Sequence, residues 1–480
     1  MKKTIIIAAA FIAILCGNVQ AQYNETNNLM YHSFRTPLAN DLNPALFPNK
    51  TSVYIKLPGI GMQFGSPVAI SDILVNKDSV TAIDLNKTFD ALGKDNNLHF
   101  DLNTEILGFG VKVDNMFFTF GARAVSISNI NLPKDLTSTF LHGNVDANGN
   151  AISEVNILSG DIFNTTNYVE LALGGAYLIE PINLTVGARL KYLKGILNIQ
   201  TDNTRAVLNT SSDFNNINVD IYYDFLVAGV AAFDTNGKAS MANNILKGND
   251  GFSFDIGARY DFGPFTFSFS INDLSAGIHW NNNVYSVHPQ KDHVTINYSG
   301  QNVTTMFSGG TMNTDSVSTQ YSDIIQGLKP GTVKEAADYW YCIPTKFNLG
   351  ANYSFAKKFR AGLLFHGQLD RGLLSKKNVR SINVSEISNK FRFNTTLSFG
   401  ANLFNWVELI AGSSIVYDGS KVDFLNPGVG VVFTPGTVFQ IYIIGDYISD
   451  FYLVDAKDFN FKLGFNLLLG SGNNGRMAQN

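Results

Sequence analysis

The stretch "NYVELALGGAYLIEPINLTVGARLKYLKG", Asn167–Gly195, holds the clearest periodicity in the chain. Apolar side chains fall on alternate residues. Val169, Leu171, Leu173, Tyr177 and Ile179 lead to Glu180-Pro181, and Ile182, Leu184, Val186, Ala188, Leu190 and Tyr192 follow. The positions between them carry Glu170 and Gly174, then Asn183, Thr185, Arg189 and Lys191. A repeat of two marks a β-strand with unlike faces, and a Glu-Pro pair between two such runs marks a tight turn. The segment therefore predicts a hairpin with one wholly uncharged face.

The same ribbon recurs along the chain. Phe252, Phe254, Ile256, Ala258 and Tyr260 precede Phe265, Phe267, Phe269 and Ile271. Phe347, Leu349, Ala351, Tyr353 and Phe355 precede Phe359, Ala361, Leu363 and Phe365. Phe391, Phe393, Leu397, Phe399, Ala401 and Leu403 form another face, and Phe459, Phe461, Leu463, Phe465, Leu467 and Leu469 form the last. Tight turns fall at Asp114-Asn115, Glu180-Pro181, Asp261–Pro264, Ala356–Lys358, Phe404-Asn405 and Thr434–Gly436, and alternate with longer polar stretches. These stretches are Asn129–Thr166, Leu197–Asn216, Asp234–Gly251, Asn272–Tyr341 and Asp370–Asn389. Short connections then lie at one end of the sheet and long ones at the other, the layout of an outer-membrane barrel.

Strand length agrees. Ten residues at ~3.3 Å rise, tilted by ~40°, cover roughly 25 Å, the height of the apolar band of such barrels. No Lys, Arg, Asp or Glu stands on the faces named above. Arg or Lys facing lipid at mid-membrane costs about 2–4 kcal/mol, whereas a sheet facing water has no reason to avoid charge. Tyr177, Tyr260, Phe262, Tyr353, Phe355, Phe404 and Trp406 gather at the turn ends, as rings do at a membrane–water border. The expected fold is all-β: a transmembrane antiparallel β-barrel of about fourteen strands. The alternative is a large soluble sandwich with aromatic cores.

Composition narrows the classes further. The chain has 480 residues, a formal net charge of −4 and 15% charged residues. It has no basic run, so nucleic acid is not an expected partner. Lys2-Lys3, the apolar Ile5–Leu15 and Val19-Gln20-Ala21 read as a cleaved secretory leader, residues 1–21, which sends the mature chain to a Gram-negative-type outer membrane. Cys16 follows the bulky Leu15, which argues against lipidation there. Cleavage leaves Cys342 alone, so no internal disulfide is expected. Residues 22–50 are expected to form a plug or hatch, 51–470 the barrel and 471–480 a tail.

The faces opposite the apolar ones carry Lys112, Arg123, Glu170, Arg189, Lys191, Asp220, Asp224, Asp255, Arg259, Arg360, His366, Arg392, Glu408 and Lys462. Both signs are present, which fits a cross-lumen ion-pair network or a wet pore. Other motifs fall away. "GIGMQFG" (Gly59–Gly65) has its last Gly one place late for a dinucleotide loop. "DANGN" (Asp146–Asn150) and "DTNGK" (Asp234–Lys238) lack the further ligands of a calcium loop and read as turns. His279, His288 and His293 are spaced too loosely for zinc. No Gly-x-Ser-x-Gly or His-Glu-x-x-His occurs. No catalytic residue, metal site or cofactor is expected, and the chain is not read as an enzyme.

Ahead of the first strand, placed at Thr51–Leu57, lies "LANDLNPALFPNK", Leu38–Lys50. Asn43 reads as an N-cap and Pro44 as a first helical residue, so Asn43, Pro44, Ala45, Leu46 and Phe47 predict one helical turn. Pro48 then ends it. Such a stiff knot suits a plug inside the barrel or a turn capping its mouth. A leader, an Asn-Pro-Ala tripeptide and a barrel of this size resemble the long-chain fatty-acid transporter family, whose members carry Asn-Pro-Ala in a hatch that obstructs the lumen. The run "YHSFRTPLANDLNPALFP" looks more closely like a family of outer-membrane barrels of unknown function, similar to that class. A type IX secretion barrel component also resembles the class. The resemblance implies an outer-membrane protein, in contact with lipid, that binds or moves a hydrophobic small molecule past a hatch. The alternative it leaves is a scaffold with a surface or secretion-complex protein partner.

Overall fold

In a computed structural model the chain closes into a barrel of fourteen antiparallel strands. The structure describes most of residues 28–470. The longest stretches outside the description are 313–329, 370–390 and 447–456, and the leader, the tail and His293 lie outside it too. Strand β1 comes in two pieces, Val53–Lys56 and Gly59–Gly65, so the Gly-rich segment is a stave of the wall. Around the wall follow β2 (Asp95–Val113), β3 (Met116–Pro133), β4 (Phe163–Ile179), β5 (Leu184–Thr210), β6 (Asp250–Phe262) and β7 (Phe265–Trp280). Next come β8, also in two pieces (Tyr339–Cys342 and Thr345–Phe355), β9 (Phe359–Leu369), β10 (Phe391–Phe404) and β11 (Val407–Tyr417). Last are β12 (Val422–Phe433), β13 (Phe439–Asp446) and β14 (Asp458–Leu469). Both pieces of β1 pair with β14 on one side and β2 on the other, which closes the ring.

The short turns link β2–β3, β4–β5, β6–β7, β8–β9, β10–β11 and β12–β13, so all six lie at one end. Asp114 and Asn183 adopt positive φ there, at 50° each, in the left-handed region that Asn and Asp tolerate best.

Register turns the period of two into two surfaces. Leu173 stands between Phe120 of β3 and Leu190 of β5, and all three belong to the uncharged face. Leu173 and Leu397 are each 63% exposed, whereas Glu170 and Asp255 on the other parity are 4% and 0% exposed. This is an apolar belt outside and a polar, ion-paired interior inside. It is the arrangement a bilayer requires, because strands in hydrocarbon must pair every backbone group and carry no charge outward. Aromatic pairs edge the belt at the short-turn end, with Phe265 tilted against Tyr353 at 4.9 Å and Phe404 stacked on Trp406 at 5.3 Å. At the other border Trp340 stacks on His279 at 4.7 Å, and Lys194 pairs with Asp250 at 2.9 Å.

The long connections differ from the sequence expectation. Leu197–Asn216 is not a polar loop: β5 continues to Thr210, 27 residues in all. Above the belt it pairs with Ile217–Gly229, which pairs in turn with Tyr285–Pro289. Asp220 and Asp224 belong to this outer ribbon, so they are not lumen residues of the barrel wall. Their alternation matches that of the wall strands because the ribbon extends the same sheet.

Replacing Leu173 by Arg is expected to destabilise the barrel in bilayers by about 2–4 kcal/mol. The equivalent change at the half-exposed rim residue Leu403 is expected to cost clearly less. Denaturant titration of vesicle-folded protein checks both. An equal, small cost at the two positions contradicts the belt.

Candidate functional site

Residues 28–48 run inside the barrel. A 3-10 turn, Asn28–His32, leads to one short helix, α1 (Leu38–Leu42), and then to the Asn-Pro-Ala segment. Nearly every side chain here is buried, with Tyr31 and Asn43 fully so. Proline explains the local shape. Pro44 disfavours the helical region at the residue before it. Asn43 accordingly sits at φ −151°, ψ 114° and ends α1 as its C-cap. The expected helical turn starting at Asn43 is therefore corrected: the helix precedes the Asn, and Asn43–Leu46 is a turn closed by the Leu46 N–H on the Asn43 carbonyl at 2.9 Å.

The Asn43 side chain joins plug to wall. Its Oδ1 accepts the Ala45 N–H at 2.9 Å. Its Nδ2 faces three acceptors: the Tyr31 hydroxyl at 3.0 Å and the carbonyls of Phe269 and Ala258 at 3.2 and 3.3 Å. The approach needs Gly257, where any Cβ would overlap the Asn43 amide. Gly187 does the same for Pro44, whose carbonyl would lie 2.7 Å from a Cβ there. The Leu42 carbonyl at the end of α1 accepts from Asn272 (2.6 Å), Ser270 (2.8 Å) and Asn348 (3.1 Å). Leu46 packs with Tyr31, Ala39, Leu42 and Leu364, and the Phe47 ring lies tilted against Phe117 and Tyr54 at 4.5 and 5.3 Å.

Charges tie the same segment down. Arg189 donates to the Asn40 carbonyl and side-chain oxygen at 2.5 and 2.6 Å, to the Asp41 carbonyl at 3.2 Å and to Asp255 at 3.3 Å. Asp41 pairs with Lys56 at 2.5 Å, and Lys56 also meets Glu105 at 3.6 Å. Burial alone would raise the Asp41 carboxyl, but Lys56, Lys462 and Arg189 together hold it below the usual carboxylate range. At the other end of the plug the Ser33 hydroxyl donates to Glu408 at 3.0 Å, and Glu408 is ion-paired to Arg360. Burial, then the charge of Arg360, pushes the His32 imidazole down to about 3, which keeps it neutral.

The other candidates fall in distinct places. Arg123 pairs with Glu170 at 2.7 Å, and Lys191 with Asp255 and Asp273 at 2.9 and 2.7 Å. Arg259 pairs with Asp261 at 3.1 Å and lies 4.9 Å from the Phe34 ring. Lys112 lies near the short-turn end, 5.4 Å from the Phe117 ring. Arg392 is buried on β10, and His366 meets Asn348 at 2.7 Å. Asp273 escaped the sequence reading. By alternation it belongs with Phe269 and Ile271 on the outer face, but its φ of 59° turns the carboxylate inward to Lys191. Asp41, Lys56 and Glu105 also escaped it.

Between plug and long loops lies a cavity of about 120 Å³. Its floor is Met30, Leu38, Asp41 and Leu42 of the plug. Val125, Ile127, Tyr168 and Ile343 line it from above and belong to a buried cluster with Leu193, Ile278, Trp280 and Tyr339. This roof was not anticipated, since it places apolar residues on the inner parity of the upper wall. Charged groups on the cavity are Asp41, Asp101, Arg123, Lys191, Asp273, Lys346 and Lys462. With Lys56, Glu170 and Asp255, their direct ion-pair partners, they make five cations and five carboxylates, histidine counted neutral.

One cluster outside the lumen brings a nucleophile near a histidine. The Ser286 hydroxyl lies 2.8 Å from His288 Nε2 and also 2.8 Å from Asp224. The far ring nitrogen meets the Tyr222 hydroxyl at 3.1 Å, with Asp224 at 3.6 Å. A relay needs the carboxylate hydrogen-bonded to that far nitrogen, so the cluster is not built as one.

No protein of curated function matches the sequence. Among solved structures the chain is similar to a Pseudomonas aeruginosa FadL homologue, with 9% identity, 94% of this chain and 100% of that one covered, and a TM-score of 0.45. It is also similar to the Pseudomonas putida toluene transporter TodX, with 10% identity, 95% of each chain covered and a TM-score of 0.40. A family model for proteins of unknown function matches residues 44–446, from Pro44 of the plug to the last residue of β13. The chain belongs to that family, the family of unknown function DUF5723.

Proposed function

We propose that the protein is an outer-membrane barrel that binds a small molecule with a large apolar part in its lumen and passes it when the plug shifts. The observation that carries this reading is the cavity between the plug and the Val125–Trp280 roof. A partly apolar space between the plug and a buried cluster of the upper wall is shaped as a binding chamber rather than an open pore. Residues 22–50 serve as the hatch, with Asn43 and its neighbours as the latch, and the leader directs export.

A second reading is a non-transporting scaffold acting through its outer loops. What favours it is the ribbon that β5 and Ile217–Gly229 raise above the belt, together with the ion-paired lumen. Lipid extraction and mass spectrometry of purified protein separate the two. A co-purifying apolar-bearing molecule is expected with the whole chain and is expected to be lost on deleting Asn43–Phe47. No such molecule from either form removes the first reading.

Latch strength is tested by electrical recording in planar bilayers. The whole protein is expected to conduct almost no current. Asn43→Ala, which removes the amide from three acceptors, is expected to give intermittent openings, because each neutral hydrogen bond contributes about 0.5–1.5 kcal/mol. Gly257→Leu, which displaces the Asn43 side chain, is expected to open further. Silent behaviour of both variants, with normal folding shown by heat-modifiable gel mobility, contradicts a latch at Asn43.

A further inference from the structure

Four residues on the cavity leave a polar atom unpartnered among the described residues: Asp101 Oδ1, Asn272 Oδ1, Arg123 Nε and Asn460 Nδ2. Asn272 and Asn460 are each 4% exposed, so neither amide has bulk water as an alternative. Two of these atoms accept hydrogen bonds and two donate them. They come from separate parts of the wall, β7 for Asn272, and β2, β3 and β14 for the others. The surrounding charge is already balanced, five against five. Leu38, Leu42, Val125, Ile127 and Ile343 supply the apolar part of the lining.

We infer that the cavity selects a neutral molecule whose polar end both donates and accepts hydrogen bonds, a hydroxyl- or amide-bearing group on an apolar body. Resting on the proposed function, this names the ligand class of that chamber. A bare hydrocarbon leaves Asp101 Oδ1, Asn272 Oδ1 and Asn460 Nδ2 without a hydrogen-bond partner, which is the costly outcome for a buried polar atom. A carboxylate has no proton to donate to Asp101 Oδ1 or Asn272 Oδ1, and it adds a charge to a set that is already neutral. An alcohol or primary amide gives a proton to one acceptor and takes one from Asn460 or Arg123.

The test is calorimetric titration of the purified full chain in detergent with a matched series: hexan-1-ol, hexanamide, hexanoate and hexane. The alcohol and the amide are expected to bind at least about tenfold more tightly than the other two, since a site built around hydrogen bonds rejects analogues that lack them. Asn460→Leu is expected to reduce that preference several-fold while leaving hexane binding equal or improved. Asn460→Asp, close in shape, exchanges the donor for an acceptor and is expected to weaken the alcohol and hexanoate together. Heat-modifiable gel mobility identifies folded variants. Hexanoate or hexane binding as tightly as the alcohol overturns the inference and leaves the chamber standing. Binding by none of the four overturns both.

Discussion

Hydrocarbon outside the barrel dictates what happens inside it. A β-strand has two faces, and lipid forbids charge on one of them, so every charged residue of the wall must turn inward. Inward there is little water, and a buried charge without a partner is far more costly than a paired one. Glu170 and Asp255 are therefore met by Arg123 and Lys191 from neighbouring strands, and Glu408 by Arg360 from two strands away. The plug belongs to the same balance. Asp41 answers Lys56, and the carbonyls of Asn40 and Asp41 fill the remaining donors of Arg189. Wall and plug thus form one polar interior wrapped in one apolar skin.

Much of the skin was legible in the sequence, because its rule is local. Phe252, Phe254 and Ile256 must face out if their neighbours Ser253 and Asp255 face in, and a repeat of two over ten residues shows this with no knowledge of tertiary contacts. Height along the barrel axis is not local. Asp220 and Asp224 alternate just as Arg189 and Lys191 do, yet they stand above the belt, because β5 and its partner run on past the membrane in the same sheet. Periodicity reports a face and is silent about depth. Asp273 fails for the opposite reason: one left-handed residue reverses its direction inside a regular strand.

The plug was legible as a stiff apolar element but not in its hinge points. Two prolines bracket it, and the rule that a residue before proline avoids the helix applies to Asn43 as well as to Phe47. Applied at both places it puts the helix before Asn43, where it stands. The partners of Asn43 lie 215 and 226 residues away in the chain, at Ala258 and Phe269. Their only trace in the sequence is glycine on the inner parity, at Gly187 and Gly257, where a side chain would occupy the space the plug needs.

The charges also bear on whether such a plug can leave. Tearing one member from a buried ion pair is expensive when the other is left alone. Three charged wall groups that hold the plug have a second partner in the wall, whereas Asp446 of β13, 3% exposed, takes its hydrogen bonds from the plug backbone at Asn28 and Leu29. Arg189 keeps Asp255 at 3.3 Å, Lys56 keeps Glu105 at 3.6 Å, and Glu408 keeps Arg360 when Ser33 departs. The Leu42 carbonyl draws three donors, more than the two lone pairs of a carbonyl serve well, so no one of them is decisive. The plug's own carboxylate, Asp41, is held by cations of the wall, Lys56 first among its direct partners. A plug meant to be permanent would make wall charges depend on it. Arg189, Lys56 and Glu408 do not depend on this one, since each is also paired within the wall, and Asp446 is the wall carboxylate that does.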